Sequence, residues 1–311
     1  MENNVIVFFL SFLSSVVFIE GFKRFQKKLR IGQYIREEGP DLHNYKTGTP
    51  TAAGLVFIPI FIAVLLNFNR GPESFLIAFS ALSYGLIGAI DDFMKIKRKN
   101  ASGITAVQKL FMQFTAAFII VYFIQQINPH TYLIVPFSGY KLDLGWFYYL
   151  LSSVVIVGVS NAVNLTDGVD GLAGFVFIGS IVPLLIVGYQ SVVYLSLIGL
   201  LMGFLWHNWH PASIFMGDAG SLALGGILAT SFALNGLELF LIFFGFIFLL
   251  ETLSVIIQVT SFKFRGKRVF RMSPIHHHFE LLGWKEEKIA FRFSTLALLV
   301  SLLGIIGWRE L

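Results

Sequence analysis

Two adjacent carboxylates, Asp91 and Asp92, are followed by Lys95, Lys97, Arg98 and Lys99. Paired acids beside basic residues suit a divalent cation, or proton acceptance next to an anionic substrate; the plainer reading of Asp91 with Lys95 is a surface i,i+4 ion pair. A second group, Asn161, Asn164, Thr166, Asp167, Gly168, Asp170 and Gly171, contains no basic residue. Helix capping by Thr166 or Asp167 accounts for one polar residue and leaves the rest, while Gly168 and Gly171 allow backbone to approach a ligand closely. A third group runs from Asn208 to Ser221. In it Phe215 and Asn208 could supply a stacking wall and an amide for a nucleobase, and Asp218 stands where a helix begins, so capping is an equal reading there. The fourth is His276-His277-His278 between Pro274 and Glu280. Three consecutive histidines cannot share a helical face, and phosphate or sugar contact and proton transfer suit them better than a zinc site. Lys46 precedes Thr49-Pro50-Thr51, and Glu251 lies deep in an apolar run. A membrane acid is a functional candidate, but a hydrogen bond within the bundle explains Glu251 equally well, so it stays outside the assigned site.

The elements that must carry these residues are membrane helices. The 311-residue chain is 56% hydrophobic and only 13% charged, with 34 phenylalanines and a mean hydropathy of +0.75. That excludes disorder and an ordinary soluble enzyme. Ten apolar spans are expected, near 4–22, 52–68, 73–90, 107–126, 145–162, 170–188, 190–207, 219–235, 237–260 and 289–308. All read as helices, since alternating barrel segments are absent. The first reads as a retained helix rather than a cleaved signal. The fold class is therefore all-α: a polytopic membrane protein in a single domain over 1–311.

Of the 23 Lys and Arg residues, all but Arg70, Lys141 and Arg309 fall in one set of connections. This set is expected to be cytoplasmic, with both termini outside and the active site on the cytoplasmic face. Every histidine except His130 falls on that side too. The net charge of +5 thus reports topology, and no nucleic-acid partner is expected. Cysteine is absent, so thiolate chemistry is excluded. The outer connection 127–144 should hold an irregular or hairpin element. Hard carboxylates ringed by lysines at a membrane surface suit phosphoryl transfer between a soluble phosphorylated donor and a lipid. A secondary transporter, the rival from another class, would place ionisable groups at the midplane of repeated halves; here they sit at span ends, and no repeat is visible.

The stretches GAIDDFMKIKRK, NAVNLTDGVDGLAG, NWHPASIFMGDAGSLALGG and PIHHHFELLGW resemble, in order, the polyprenyl-phosphate N-acetylhexosamine-1-phosphate transferases. PIHHHFE is similar to the members that transfer phospho-MurNAc-pentapeptide; a GlcNAc-1-phosphate transferase is the enzymatic alternative. The resemblance implies transfer from UDP-MurNAc-pentapeptide to undecaprenyl phosphate, giving lipid I and UMP, in the bacterial inner membrane. It implies Mg²⁺, with Mn²⁺ as the substitute, and leaves a homodimer open. It makes Asp91 and Asp92 the acidic pair, Asp218 the metal ligand, and Asn164, Asp167, Gly168 and Asp170 nucleotide-side residues, with Phe215 on uracil and Asn208 nearby. Lys46, Lys95 and Lys109 would meet phosphate, and His276, His277 and His278 the sugar-phosphate side, with His277 counted among the catalytic residues and Thr51 among those binding substrate. Where the family has a TPTMGG-like segment, this chain reads Thr49-Pro50-Thr51-Ala52-Ala53-Gly54, a change expected to alter helix packing rather than chemistry.

Overall fold

A computed structural model describes residues 2–32, 46–98 and 102–308; Arg36, Lys99 and Arg309 of the charge pattern lie outside them. The apolar runs fold as helices because a chain in hydrocarbon must satisfy its backbone N–H and C=O groups internally. They are α1 (Glu2–Leu29), α2 (Gly54–Phe68), α3 (Pro72–Arg98), α4 (Ala106–Ile127), α5 (Phe147–Thr166), α6 (Leu172–Ile181), α7 (Ser191–Asn208), α8 (Gly217–Ala233), α9 (Leu241–Phe244), α10 (Phe246–Arg265), α11 (Ile275–Glu280) and α12 (Glu286–Trp308). Between α4 and α5 a small antiparallel hairpin pairs β1 (Tyr132–Ile134) with β2 (Lys141–Asp143), Leu133 opposite Leu142.

Among the described residues, seven helices are long and apolar enough to cross a membrane: α1, α3, α4, α5, α7, α10 and α12. The remaining three expected spans fall on shorter elements. The span expected at 170–188 is α-helical only over α6 and tightens to a 3-10 turn at Val182–Leu185, where Pro183 has no N–H to continue the ladder. The span expected at 237–260 begins as a 3-10 turn and α9, breaks at Gly245, and resumes as α10. The span expected to end at 90 instead continues to Arg98. Asp91 and Asp92 therefore lie inside α3, and the last turn holds Lys95, Lys97 and Arg98, the charge sign that a helix C-terminus favours.

α8 runs through the middle of the bundle, buried at every residue from Ala219 to Ala233. α3 packs antiparallel to it at very short range: a Cβ on Gly88 would lie 2.2 Å from the Asp218 carbonyl oxygen. Small residues allow such approach, which drives helix association in lipid. α1 and α7 pair in the same way, with Gly199 and Gly203 against α1 backbone and side chains. Ser11 Oγ lies 3.1 Å from Ser196 Oγ, and Ser15 donates to the Leu200 carbonyl at 2.8 Å. These contacts make α1 parallel to α7 and put Glu2 beside the start of α7. Trp308 packs on Tyr189, just before α7, and Gly307 meets Phe137 in the hairpin turn. Both described chain ends and the hairpin thus occupy one end of the bundle. The polar groups of interest occupy the other.

Candidate active site

The close approach at Gly88 brings Asp92, one turn further along α3, to the start of α8. Its two oxygens accept the backbone N–H groups of Asp218 (3.1 Å) and Ala219 (3.0 Å). The α8 N-terminus is therefore capped by Asp92, not by Asp218, whose carboxylate is left to bridge two ammonium groups. Lys95 Nζ lies 2.9 Å from Asp218 Oδ1 and Lys109 Nζ lies 2.6 Å from Oδ2. Lys95 also contacts Asp91 Oδ2 at 2.7 Å. Asp91 accepts the Ile104 N–H at 2.9 Å on its other oxygen.

The connection after α5 forms the facing wall. Neither Thr166 nor Asp167 caps α6; Thr166 donates to the Ala162 carbonyl, and α6 starts from Gly171, whose positive φ of 74° suits glycine. Asp167 is half-buried, and its carboxyl is pushed up to about 7, first by burial and then by the charges of Asp218, Asp92 and Asp170. Asn164 Nδ2 donates to Ser221 Oγ at 2.8 Å. Asp170 is tied down more heavily. Lys46 Nζ lies 2.7 Å from its Oδ1 and 2.6 Å from Glu286 Oε2. His210 Nδ1 and the Ala212 N–H meet its Oδ2 at 2.9 and 3.0 Å. Asp170, His210 and Glu286 have the mutual spacing of metal ligands, but the Lys46 ammonium already lies against both carboxylates.

Backbone pairing supports the third wall. Ala53 and Gly54 donate to the Phe215 and Met216 carbonyls, and the Phe215 N–H donates to the Pro50 carbonyl. This stretch includes the departure from the family pattern, and its Ala52 has a φ of 61°. Gln26 clamps Thr51 through both backbone groups, at 2.9 and 3.0 Å. Asn208, nearly fully buried, uses its amide to join Gly171 N–H to the Ile214 carbonyl (2.9 Å each).

The three histidines part company on α11. His277 faces the cleft, with Nδ1 2.5 Å from Glu280 Oε2. His278 turns to the preceding loop, its Nδ1 accepting the Arg271 N–H at 3.1 Å. His276 is wholly buried against Gly168: a Cβ there would lie 2.3 Å from His276 Nε2.

A cleft of about 320 Å³ opens between these walls, lined by Lys46, Thr51, Asp92, Lys95, Asn164, Asp167, Gly168, Asp170, Asn208, Phe215, Asp218 and His277, with Gly32, Ile96, Val169 and Gly217. Of the residues singled out from sequence, Asp91 and Lys109 stand just behind this lining through Lys95 and Asp218, and His276 stands behind Gly168. Only His278 points elsewhere. Sequence reasoning missed Gln26, His210 and Glu286. His210 lay inside a quoted motif without a role, and Glu286, in the run Lys285-Glu286-Glu287-Lys288, reads as an ordinary solvated helix start.

A helical membrane bundle with one end gathering acids and lysines around an open cleft has the architecture of a polytopic membrane phospho-sugar transferase. Residues 74–235 match glycosyl transferase family 4. The chain is 46% identical to the phospho-N-acetylmuramoyl-pentapeptide-transferase of Fervidobacterium nodosum, over 94% of each chain. It is 48% identical to that of Petrotoga mobilis, over 92% of each, and 45% identical to that of Oceanobacillus iheyensis, over 97% of this chain and 95% of the relative. The chain belongs to the phospho-N-acetylmuramoyl-pentapeptide-transferase family.

Proposed function

We propose that the protein transfers phospho-MurNAc-pentapeptide from its UDP carrier to undecaprenyl phosphate, giving lipid I and UMP. The observation that carries this reading is Asp218, bridged by Lys95 and Lys109 at the start of α8 in an open cleft. Family membership supplies the sugar and its peptide. The concentration of Lys and Arg at the cleft end supports a cytoplasmic cleft in a bacterial inner membrane, with both termini outside.

The donor set fits Mg²⁺, with Mn²⁺ as the substitute. Asp92, Asp167 and Asp218 offer only hard carboxylate oxygens, and burial, reinforced by the neighbouring acids, keeps a proton on Asp167 near neutrality, positive charge that a divalent cation would replace. Asp218 would hold the ion, which when bound neutralises charge developing on the pyrophosphate. Lys46, Lys95 and Lys109 hold substrate phosphates, exchanging their present carboxylate partners for phosphate oxygens. Phe215 stacks on the uracil, and Asn208 fixes the loop beside it.

In the reaction, an oxygen of the lipid phosphate attacks the phosphorus that bears the sugar, and the bond to the UMP oxygen breaks. Asp92, the member of the acidic pair that lines the cleft, accepts the lipid phosphate's proton, and His277 serves the sugar-phosphate side. Direct attack is favoured over a phospho-enzyme because Asp218 is engaged by two ammonium groups and Asp92 by two backbone N–H groups, which lowers the nucleophilicity of both. An acyl-phosphate trapped on an aspartate and seen by mass spectrometry would overturn that choice. The reading as a whole is tested with purified protein, Mg²⁺, undecaprenyl phosphate and either UDP-MurNAc-pentapeptide or UDP-GlcNAc, scored by UMP release. Release with the muramoyl substrate, lost in Asp218→Asn, is expected; release with UDP-GlcNAc alone would sink the reading.

A further inference from the structure

Glu251 sits on α10 among residues that face lipid, including Leu249, Leu253, Ile256 and Ile257, yet its own side chain is fully buried. Its Oε2 lies 3.1 Å from His276 Nδ1, and both side chains have no solvent exposure. The His276 backbone N–H donates to the same oxygen at 3.4 Å. Glu251 Oε1 and both ring nitrogens have no aligned hydrogen-bond partner among the described residues. Burial of an unpaired acid or imidazole in an apolar bundle is costly. Across this contact each can relieve the other by a small rotation. The opposite edge of the ring, Nε2, presses on Gly168, the cleft residue between Asp167 and Asp170.

We infer that Glu251 is a positioning residue of the transferase site: it fixes the His276 imidazole with the proton on Nδ1 and Nε2 turned to the Gly168 wall. A carboxylate facing one ring nitrogen selects the tautomer and thereby the character of the other. The contact also links α10 to the loop that spaces Asp167 and Asp170, so its effect reaches the cleft without touching substrate. The inference rests on the transferase reading for its kinetic consequence, but not for its structural one.

The test uses full-length protein carrying ¹⁵N-labelled histidine, with His276→Gln to assign the resonance, and needs no substrate. A pyrrole-type, protonated Nδ1 at His276 is expected in the parent and in Glu251→Gln, whose amide oxygen still accepts that proton. In Glu251→Leu the proton is expected to move to Nε2 or to exchange between the two nitrogens. UMP release should stay within about threefold of the parent in E251Q and fall by about tenfold or more in E251L, the usual range for loss of an outer-shell partner. An unprotonated Nδ1 in the parent overturns the inference, as do equal activities of folded E251Q and E251L. If E251L does not fold, the spectra of the parent and E251Q decide. If no variant or parent releases UMP, the transferase reading fails while the spectrum still judges the pair.

Discussion

Asp92 and Asp218 stand on antiparallel helices, and the carboxylate of the first accepts the backbone N–H of the second at 3.1 Å. One acid thus caps the helix that presents the other. Asp92→Ala should uncap α8, costing about 0.5–2 kcal/mol, and thermal unfolding in detergent would register the loss. Asp92→Asn retains an accepting oxygen and should unfold near the parent temperature. Its UMP release should nonetheless fall by about 10²–10⁴-fold, the range for removing a general base. Undiminished turnover in Asp92→Asn would remove Asp92 from the proton-accepting role.

Lys109 competes with any cation for Asp218. Lys109→Met deletes the ammonium 2.6 Å from Asp218 Oδ2 and should raise affinity for Mg²⁺ while weakening the UDP-sugar. Calorimetric titration of each ligand separately would check the opposite signs. Removing Mg²⁺ with a chelator should abolish UMP release in both proteins. A parallel rise or fall of the two affinities would contradict competition at Asp218.

The Asp167 carboxyl, raised from 3.8 to about 7 by burial and neighbouring acids, holds a proton in the folded protein that the unfolded chain releases. Stability should therefore fall as pH rises through that window and level off above about 7. Asp167→Asn should unfold at a higher temperature than the parent at pH 8 and at a similar one at pH 4. A bound divalent cation favours the ionised carboxylate, so Mg²⁺ affinity should rise with pH up to about 7, with proton release measurable by titration in buffers of different ionisation enthalpy. Asp167→Asn should flatten that rise.

Gly168 leaves no room for a side chain. A methyl there would stand 2.3 Å from His276 Nε2, and the ring is enclosed on all sides. Gly168→Ala should destabilise the protein by about 1–3 kcal/mol, as overpacking does, and depress UMP release. Normal activity at parental stability would mean that the wall can yield.

Much of this site could be read from the chain because its residues come in short runs whose chemistry is unusual in a membrane protein. Asp91-Asp92 and Asn164 to Asp170 are polar clusters bounded by apolar helices, so they advertise themselves. What stayed hidden depends on contacts between distant segments. Nothing local distinguishes Glu286 from Glu287, and only the folded bundle brings the former to Lys46. Periodicity likewise located the spans but not where they break. It could not tell that α3 runs past Asp92, since the helix there is sustained by ion pairs and by α8 rather than by an apolar face. Glu251 was visible as an oddity, but its meaning required His276, which lies beyond the next loop.

The Lys46 ammonium joins Asp170 to Glu286, residues separated from it by 124 and 240 positions. Its partners arrive at very different moments of synthesis, the second only as the last helix emerges. A chain halted before α12 could insert most of its helices, yet it would carry Lys46 and Asp170 without the carboxylate that joins them. That wall of the cleft is consequently completed last, and truncated or stalled products would lie in the membrane with the wall still unjoined.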